Sequence, residues 1–306
     1  MSAPMTGISG DASFLDRLSS GTFVGRIHSV FRHTVNLRRA TDNQLYTLGS
    51  SGADNAPATL VVDTPAFDRF GLCPRMPIVI LKAGLAAGGL SVSLDHTRPW
   101  SPLLASLPIP VLSLHWMREF VDWHGVPGGI KPRHRPASAV EAQTALVLAQ
   151  ATRGLSSALR AHQVRSAHDH GGRLIGLGPG LTPAGDDYVL GIAVGCALLG
   201  ARGRHYQALL LEVIDANAHR TNDISYTAMA HAVRGRVRES IIELAKAMAS
   251  RDSIEMAVRA HRVLALGATS GTDILSGMLA GLQLPAVGDV LSARHERVSD
   301  ADLPPA

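Results

Sequence analysis

Gly176-Leu-Gly-Pro-Gly-Leu-Thr-Pro-Ala-Gly-Asp186-Asp187 runs a glycine-rich loop into the start of a helix and sets two carboxylates in its first turn. A shorter counterpart, Gly267-Ala-Thr-Ser-Gly-Thr-Asp273, lies nearer the C-terminus. Aligning Asp187 with Asp273 places Gly191 opposite Gly277 and Gly195 opposite Gly281. Steps of four residues keep to one side of a helix, so each helix carries a smooth glycine stripe. An interior glycine costs about 1 kcal/mol relative to alanine, and four of them call for a packing reason. The spacing predicts that the two helices, 186–199 and 273–282, cross with their backbones close and bring both loops to one place.

The chemistry of these loops is contradictory at first sight. Backbone N–H groups at a helix start attract anions, yet these starts carry acids. Gly180 and Gly185 have the glycine spacing of a phosphate-binding P-loop, but Asp186 and Asp187 stand where Lys and Ser or Thr are required. A dinucleotide fingerprint fits no better, because the strand candidate Arg173-Leu-Ile175 is short and Pro183 interrupts the turn. A metal-bridged reading fits the residue types. Hard carboxylates hold Mg²⁺, which in turn carries substrate phosphate or carboxylate oxygens. The candidate catalytic residues are therefore Asp186, Asp187 and Asp273, with Asp186 and Asp187 as the metal ligands. Gly178, Gly180, Thr182, Thr269, Ser270 and Asn222 are the candidate substrate-binding residues, offering loop amides and side-chain polar groups to a small anion. The competing reading is that these acids only cap helices. Asn222, within Thr221-Asn-Asp-Ile-Ser225, is likewise either an N-cap or a third polar wall. His168-x-His170 lacks a third ligand and reads as a polar loop or helix end.

Outward from these motifs, 306 residues suffice for two domains. With 46% hydrophobic and 18% charged residues the chain is globular. Aromatics at 4% leave the core to aliphatic side chains. Residues 1–20 read as a polar lead-in with one helical turn. Residues 21–100 are β-rich, with strands at 22–31, 36–48, 58–62, 78–82 and 90–94 separated by Gly, Asn, Asp and Pro clusters. Residues 101–136 form a connector with one helix at 112–124 and a Pro/Gly/basic linker from Gly125. Ser138-Ala-Val-Glu141 is a capping box that opens a helix reaching about His162. Helices dominate 137–285, and 286–306 is a tail. The expected class is α+β, a small antiparallel β domain followed by a mainly α-helical one.

Several functions are excluded by composition. A net charge of +4 and the short run Lys131-Pro-Arg-His-Arg135 make no nucleic-acid surface. Cys73 and Cys196 have no ligand-like spacing, which suits a reducing cytoplasm. No segment reads as a signal peptide or a membrane span.

At the two glycine motifs, with Gly277 and Gly281 downstream, the chain resembles the AllH family over roughly residues 15–285. That family takes its name from a subunit of oxamate carbamoyltransferase, which works with two partner subunits. The resemblance implies transfer of a carbamoyl group between oxalurate and phosphate, giving oxamate and carbamoyl phosphate, within a hetero-oligomer of carbamoyltransferase subunits. It also implies that the matched residues line a pocket for a small carboxylate or carbamoyl substrate. Two positions depart from the family pattern: Ala184, where a Ser is usual, and Ala268, where a His often stands. The alternatives are a non-catalytic ligand-binding or scaffold subunit, or a stand-alone metal-dependent hydrolase.

Overall fold

The computed structural model describes residues 4–81 and 83–285. It divides into two compact units: 4–103 with 236–242, and 104–235 with 243–285.

The first unit is a sheet with a helix packed on it. Its elements are β1 (Met5–Asp11), α1 (Ala12–Ser19), β2 (Gly25–Val30), β3 (Thr34–Arg39), β4 (Leu45–Gly49), β5 (Thr59–Val62), β6 (Pro77–Leu81), β7 (Gly84–Ala87), β8 (Leu90–Ser93) and β9 (Arg98–Trp100). The strand order is β5-β4-β3-β2-β6-β7-β8-β1-β9, and β5 also pairs with β1, which closes the sheet into a barrel. Three expectations are corrected here. The sheet is mixed, because β1 runs parallel to β8 and β9, and β4 runs parallel to β5. Short spacings predict hairpins, and the β2–β3–β4 and β6–β7–β8 meanders obey that rule. The parallel pairs depend on the long 50–58 connection and on the N-terminal strand entering the barrel. The lead-in also proves to be β1 and α1. Its sequence, Met-Thr-Gly-Ile-Ser-Gly-Asp, has glycines and little β-branching, so it carries no strand signal. The expected strand 36–48 is broken into β3 and β4 by a turn in which Asn43 takes φ +58°. Lys82 and the tail 286–306 lie outside the described residues.

The barrel core gathers the scarce aromatics. Phe14 from α1 meets Tyr46 with ring centroids at 4.6 Å, and Phe23 meets Tyr46 edge-on at 5.1 Å. Val35, Leu37, Leu48, Leu60, Leu85 and Leu90 fill the rest.

The second unit is helical: α2 (Val111–His124), α3 (Ala139–Arg160), α4 (Val164–Leu174), α5 (Ala184–Leu198), α6 (Arg204–Ala216), α7 (Asp223–Ala232), α8 (Glu239–Ser250, which begins in the first unit), α9 (Ser253–Leu264) and α10 (Ser270–Leu282). The capping box at α3 forms: Ser138 Oγ accepts from the Glu141 amide at 3.1 Å, and the Glu141 carboxylate accepts from the Ala137 amide at 2.7 Å. Helix α4 stands where a polar loop or helix end is expected around His168 and His170, and both histidines lie within it. It is strongly amphipathic, and its small residues Ala167, Gly171 and Gly172 are the buried face. Helix α5 is buried on nearly every side, as an apolar helix without a polar stripe must be. No helix among the described residues is long and apolar enough to cross a membrane.

Candidate functional site

The predicted crossing exists. A Cβ added at Gly191 would fall on the Ile274 carbonyl oxygen, and one at Gly277 on the Tyr188 carbonyl oxygen. A Cβ at Gly195 would lie 2.6 Å from the Met278 carbonyl oxygen. Helices α5 and α10 therefore touch backbone to backbone, and no larger residue fits between them. Their first turns are consequently neighbours: the hydroxyls of Thr182, ahead of α5, and Ser270, opening α10, are 2.9 Å apart.

The two adjacent acids of α5 do different things. Asp186 turns back into its own loop, accepting from the Gly176 amide at 2.7 Å and, through its other oxygen, from the Thr221 hydroxyl. Burial raises its pKa, and these two donors oppose the rise. Both of its oxygens are thus committed to holding the 176–183 loop against the turn before α7. Asn222 fastens the same seam. Its Oδ1 caps α7 by accepting from the Ile224 and Ser225 amides, each at 3.0 Å, while its amide donates to the Leu181 carbonyl at 2.6 Å.

Asp187 lies beside the hydroxyls of Ser270 and Thr182, which favour its charged form, but burial dominates and lifts its carboxyl to about 7. Asp273, on the facing helix, adds to that rise by repulsion. Asp273 itself is fully buried and is lifted to about 6, again chiefly by burial, against the Ile130 amide and the Thr269 hydroxyl. The Oδ2 atoms of both Asp187 and Asp273 are buried and without a hydrogen-bonding partner among the described residues. An unpaired buried carboxylate oxygen is costly. Two of them lie at facing helix starts, and no protein group among the described residues satisfies either.

Gly178 and Gly180 sit in the loop ahead of α5, at φ +123° and +96°, conformations that glycine adopts without strain. Gly180 is exposed, whereas Gly178 packs against Ala184, whose methyl is buried at the helix start. Ala268 is exposed just before Thr269.

One wall is absent from the sequence reading. Residues 125–131, taken as linker, fold over the start of α10. The Val126 amide donates to the Thr272 hydroxyl at 2.8 Å, and the Ile130 amide to Asp273 Oδ1 at 2.7 Å. Gly129 lies so close to the Asp273 carboxylate that a Cβ there would overlap it. The signal available was Pro127-Gly128-Gly129, with Gly128 at φ +129°, which composition alone does not separate from a tether.

Among the described residues no group of three or more His, Cys, Asp or Glu is placed to hold a metal. Asp186 could ligate only by giving up two hydrogen bonds. Asp187 and Asp273, with the hydroxyls of Thr182 and Ser270, are hard oxygen donors of the kind that bind Mg²⁺ together with substrate oxygens and water. His168 and His170, two apart on α4, point different ways: His168 meets Glu212 at 3.7 Å, and His170 packs on Gly154.

Two family models match the chain. Residues 174–282, which hold both glycine motifs and the crossing, match the model described as oxamate carbamoyltransferase subunit AllH. Residues 6–99, the closed sheet, match the model described as the AllH family N-terminal domain. No solved structure matches the chain.

Proposed function

Since this chain belongs to the AllH family, we propose that it is a subunit of a carbamoyltransferase of the oxamate carbamoyltransferase type and that the α5–α10 crossing is where the carbamoyl group is handled. The observation that carries the reading is the pair of buried, unpartnered Oδ2 atoms on Asp187 and Asp273. A carbamoyl group and an amide leaving group both present N–H donors, and these are the partners the two oxygens lack.

In this reading a phosphate oxygen attacks the carbamoyl carbon of oxalurate. The bond to the amide nitrogen breaks, and oxamate leaves once that nitrogen takes a proton. In this reading the positive N-terminal ends of α5 and α10 stabilise charge developing on the carbonyl oxygen through their dipoles. Asp187, held neutral to about pH 7 by burial, is suited to return the proton to the departing nitrogen, because a donor works best with a pKa near the working pH. Asp273, anchored by Ile130, orients the substrate N–H groups. Asp186 and Asn222 hold the loop in shape and do not touch substrate. Were Mg²⁺ the occupant instead, Asp187 and Asp273 would hold it, and it would supply Lewis-acid polarisation of a carbonyl or phosphoryl oxygen. The subunit name of the family supports a complex with other carbamoyltransferase subunits.

The test uses the complex reconstituted with its partner subunits. Asp187→Asn and Asp273→Asn should each lower turnover at least 100-fold with the circular dichroism unchanged, and wild-type turnover in Asp187→Asn would remove the proposal. Thermal melting with Mg²⁺ separates the two occupants: a magnesium-dependent rise at pH 8 that Asp187→Asn abolishes assigns the oxygens to metal, and no rise assigns them to substrate N–H groups.

A further inference from the structure

A concave surface lies on the helical unit, lined by α2, α3, α5 and α10, with a volume of about 550 Å³. Its chemistry is opposite to that of the acid-lined crossing. Arg153 and Arg160 are seven residues apart on α3 and so share one face. Arg118 reaches the same cavity from α2. Among the described residues Asp122 is the only carboxylate in the lining, so three arginines against one aspartate give those side chains a formal charge of +2. Two partly buried arginines elsewhere find acids: Arg39 pairs with Asp42 at 2.8 Å and Arg259 with Glu255 at 2.9 Å. Among the described residues no carboxylate pairs with Arg118, Arg153 or Arg160. Three guanidinium groups lining one cavity, none in an ion pair among the described residues, repel one another, and a bound anion relieves that repulsion.

The floor is built rather than incidental. Tyr188 is buried there, and its hydroxyl lies 3.0 Å from Ser156 Oγ, between the two α3 arginines in sequence. Leu279 and Val121 give the floor an apolar portion, and the Gln283 amide adds a polar group at the edge. The volume falls within the range of small-molecule sites, about 300–1,000 Å³. Guanidinium forks match carboxylate and phosphate oxygens two at a time.

We propose that this cavity binds a small polyanion, a short carbon skeleton or oxyanion chain bearing two or more carboxylate or phosphate groups, at a site separate from the α5–α10 loops. This assignment does not rest on the carbamoyl-transfer reading.

The full-length chain is titrated calorimetrically with pyrophosphate, citrate and malonate at ionic strength held constant with potassium chloride. Citrate or pyrophosphate should bind saturably. Arg153→Ala with Arg160→Ala should weaken that binding at least tenfold, the paired Lys replacements should weaken it less, and Asp187→Asn should leave it unchanged. All three arginines are exposed, so the variants keep the fold, which circular dichroism checks. Three results overturn the proposal. These are no saturation by any probe beyond the salt control, unchanged binding in the double Ala variant, or binding lost in Asp187→Asn but kept in the arginine variants. If the second result comes with loss of a co-purifying protein in the arginine variants, the rim is a protein interface.

Discussion

Asp186 and Asp187 are chain neighbours with the same side chain, yet the structure gives them opposite energetics. Asp186 spends both oxygens on the Gly176 amide and the Thr221 hydroxyl. Asp186→Ala strands those donors and should lower stability by about 1–3 kcal/mol, read from urea melts. Asp187 carries an unsatisfied oxygen and a carboxyl lifted to about 7. An acid whose pKa is higher in the native than in the unfolded state keeps a proton that the unfolded chain loses above about pH 4. Stability therefore falls as pH rises from there to about 7, and the penalty is complete above it. Asp187→Asn should stabilise the free protein by about 1–3 kcal/mol at pH 8, with the gain shrinking toward pH 5. Equal melting points of wild type and variant across that range would show that the buried carboxylate is compensated after all. A residue that stabilises when removed and disables turnover is the signature of a site strained for function. The sequence marked both acids and could not tell them apart, because which one turns back is decided by Gly176 and Thr221, ten and thirty-five residues away.

At the scale of elements the glycine stripe was the most readable feature, because a four-residue repeat of glycine inside an apolar helix has few physical explanations besides close packing. Gly191→Ala gains about 1 kcal/mol of helix propensity. It also pushes a methyl onto the Ile274 carbonyl oxygen, which lies in rigid backbone. The clash should dominate, with a net loss of about 3 kcal/mol and a matching fall in melting temperature, and Gly277→Ala should behave alike. A neutral Gly191→Ala would mean that α5 and α10 slide apart freely. What was not readable follows from the same physics. The 125–131 segment shows only Pro, Gly and a basic residue, and its role depends on two amides meeting Thr272 and Asp273 on a helix far along the chain. Helix α4 was hidden by two histidines, an aspartate and a pair of glycines, although those glycines are its buried face. The β-rich half was legible as strands but not as a closed mixed sheet, since parallel pairing is set by crossings that no local pattern reports.

Across the whole chain, the least readable fact is that the barrel unit is discontinuous: residues 236–242 belong with 4–103. The tie is chemical. Asp11, 1% exposed, accepts from the Ser13 amide at 3.0 Å, from the Ala58 amide at 2.6 Å, and from Arg236 at 2.6 Å. It thereby caps α1, holds the approach to β5, and takes its counter-charge from a residue 225 positions later. The Asn55 side chain reinforces the same joint by donating to Glu239 at 3.2 Å. A buried carboxylate that loses its cation is left with an uncompensated desolvation cost. Arg236→Met should therefore destabilise the barrel by about 2–4 kcal/mol, although Arg236 is itself at a partly exposed position. Because two units make a single melting transition ambiguous, the measurement is amide hydrogen exchange of residues 5–11 and 59–62. Those amides should exchange faster in Arg236→Met, while the amides of α5 and α10 keep their protection. Adding Asp11→Asn to Arg236→Met removes the stranded charge and should restore part of the loss, the non-additivity that identifies a direct pair. Unchanged exchange in the single variant would mean that the Ser13 and Ala58 amides alone satisfy Asp11, and that 236–242 contributes nothing to the barrel through this contact.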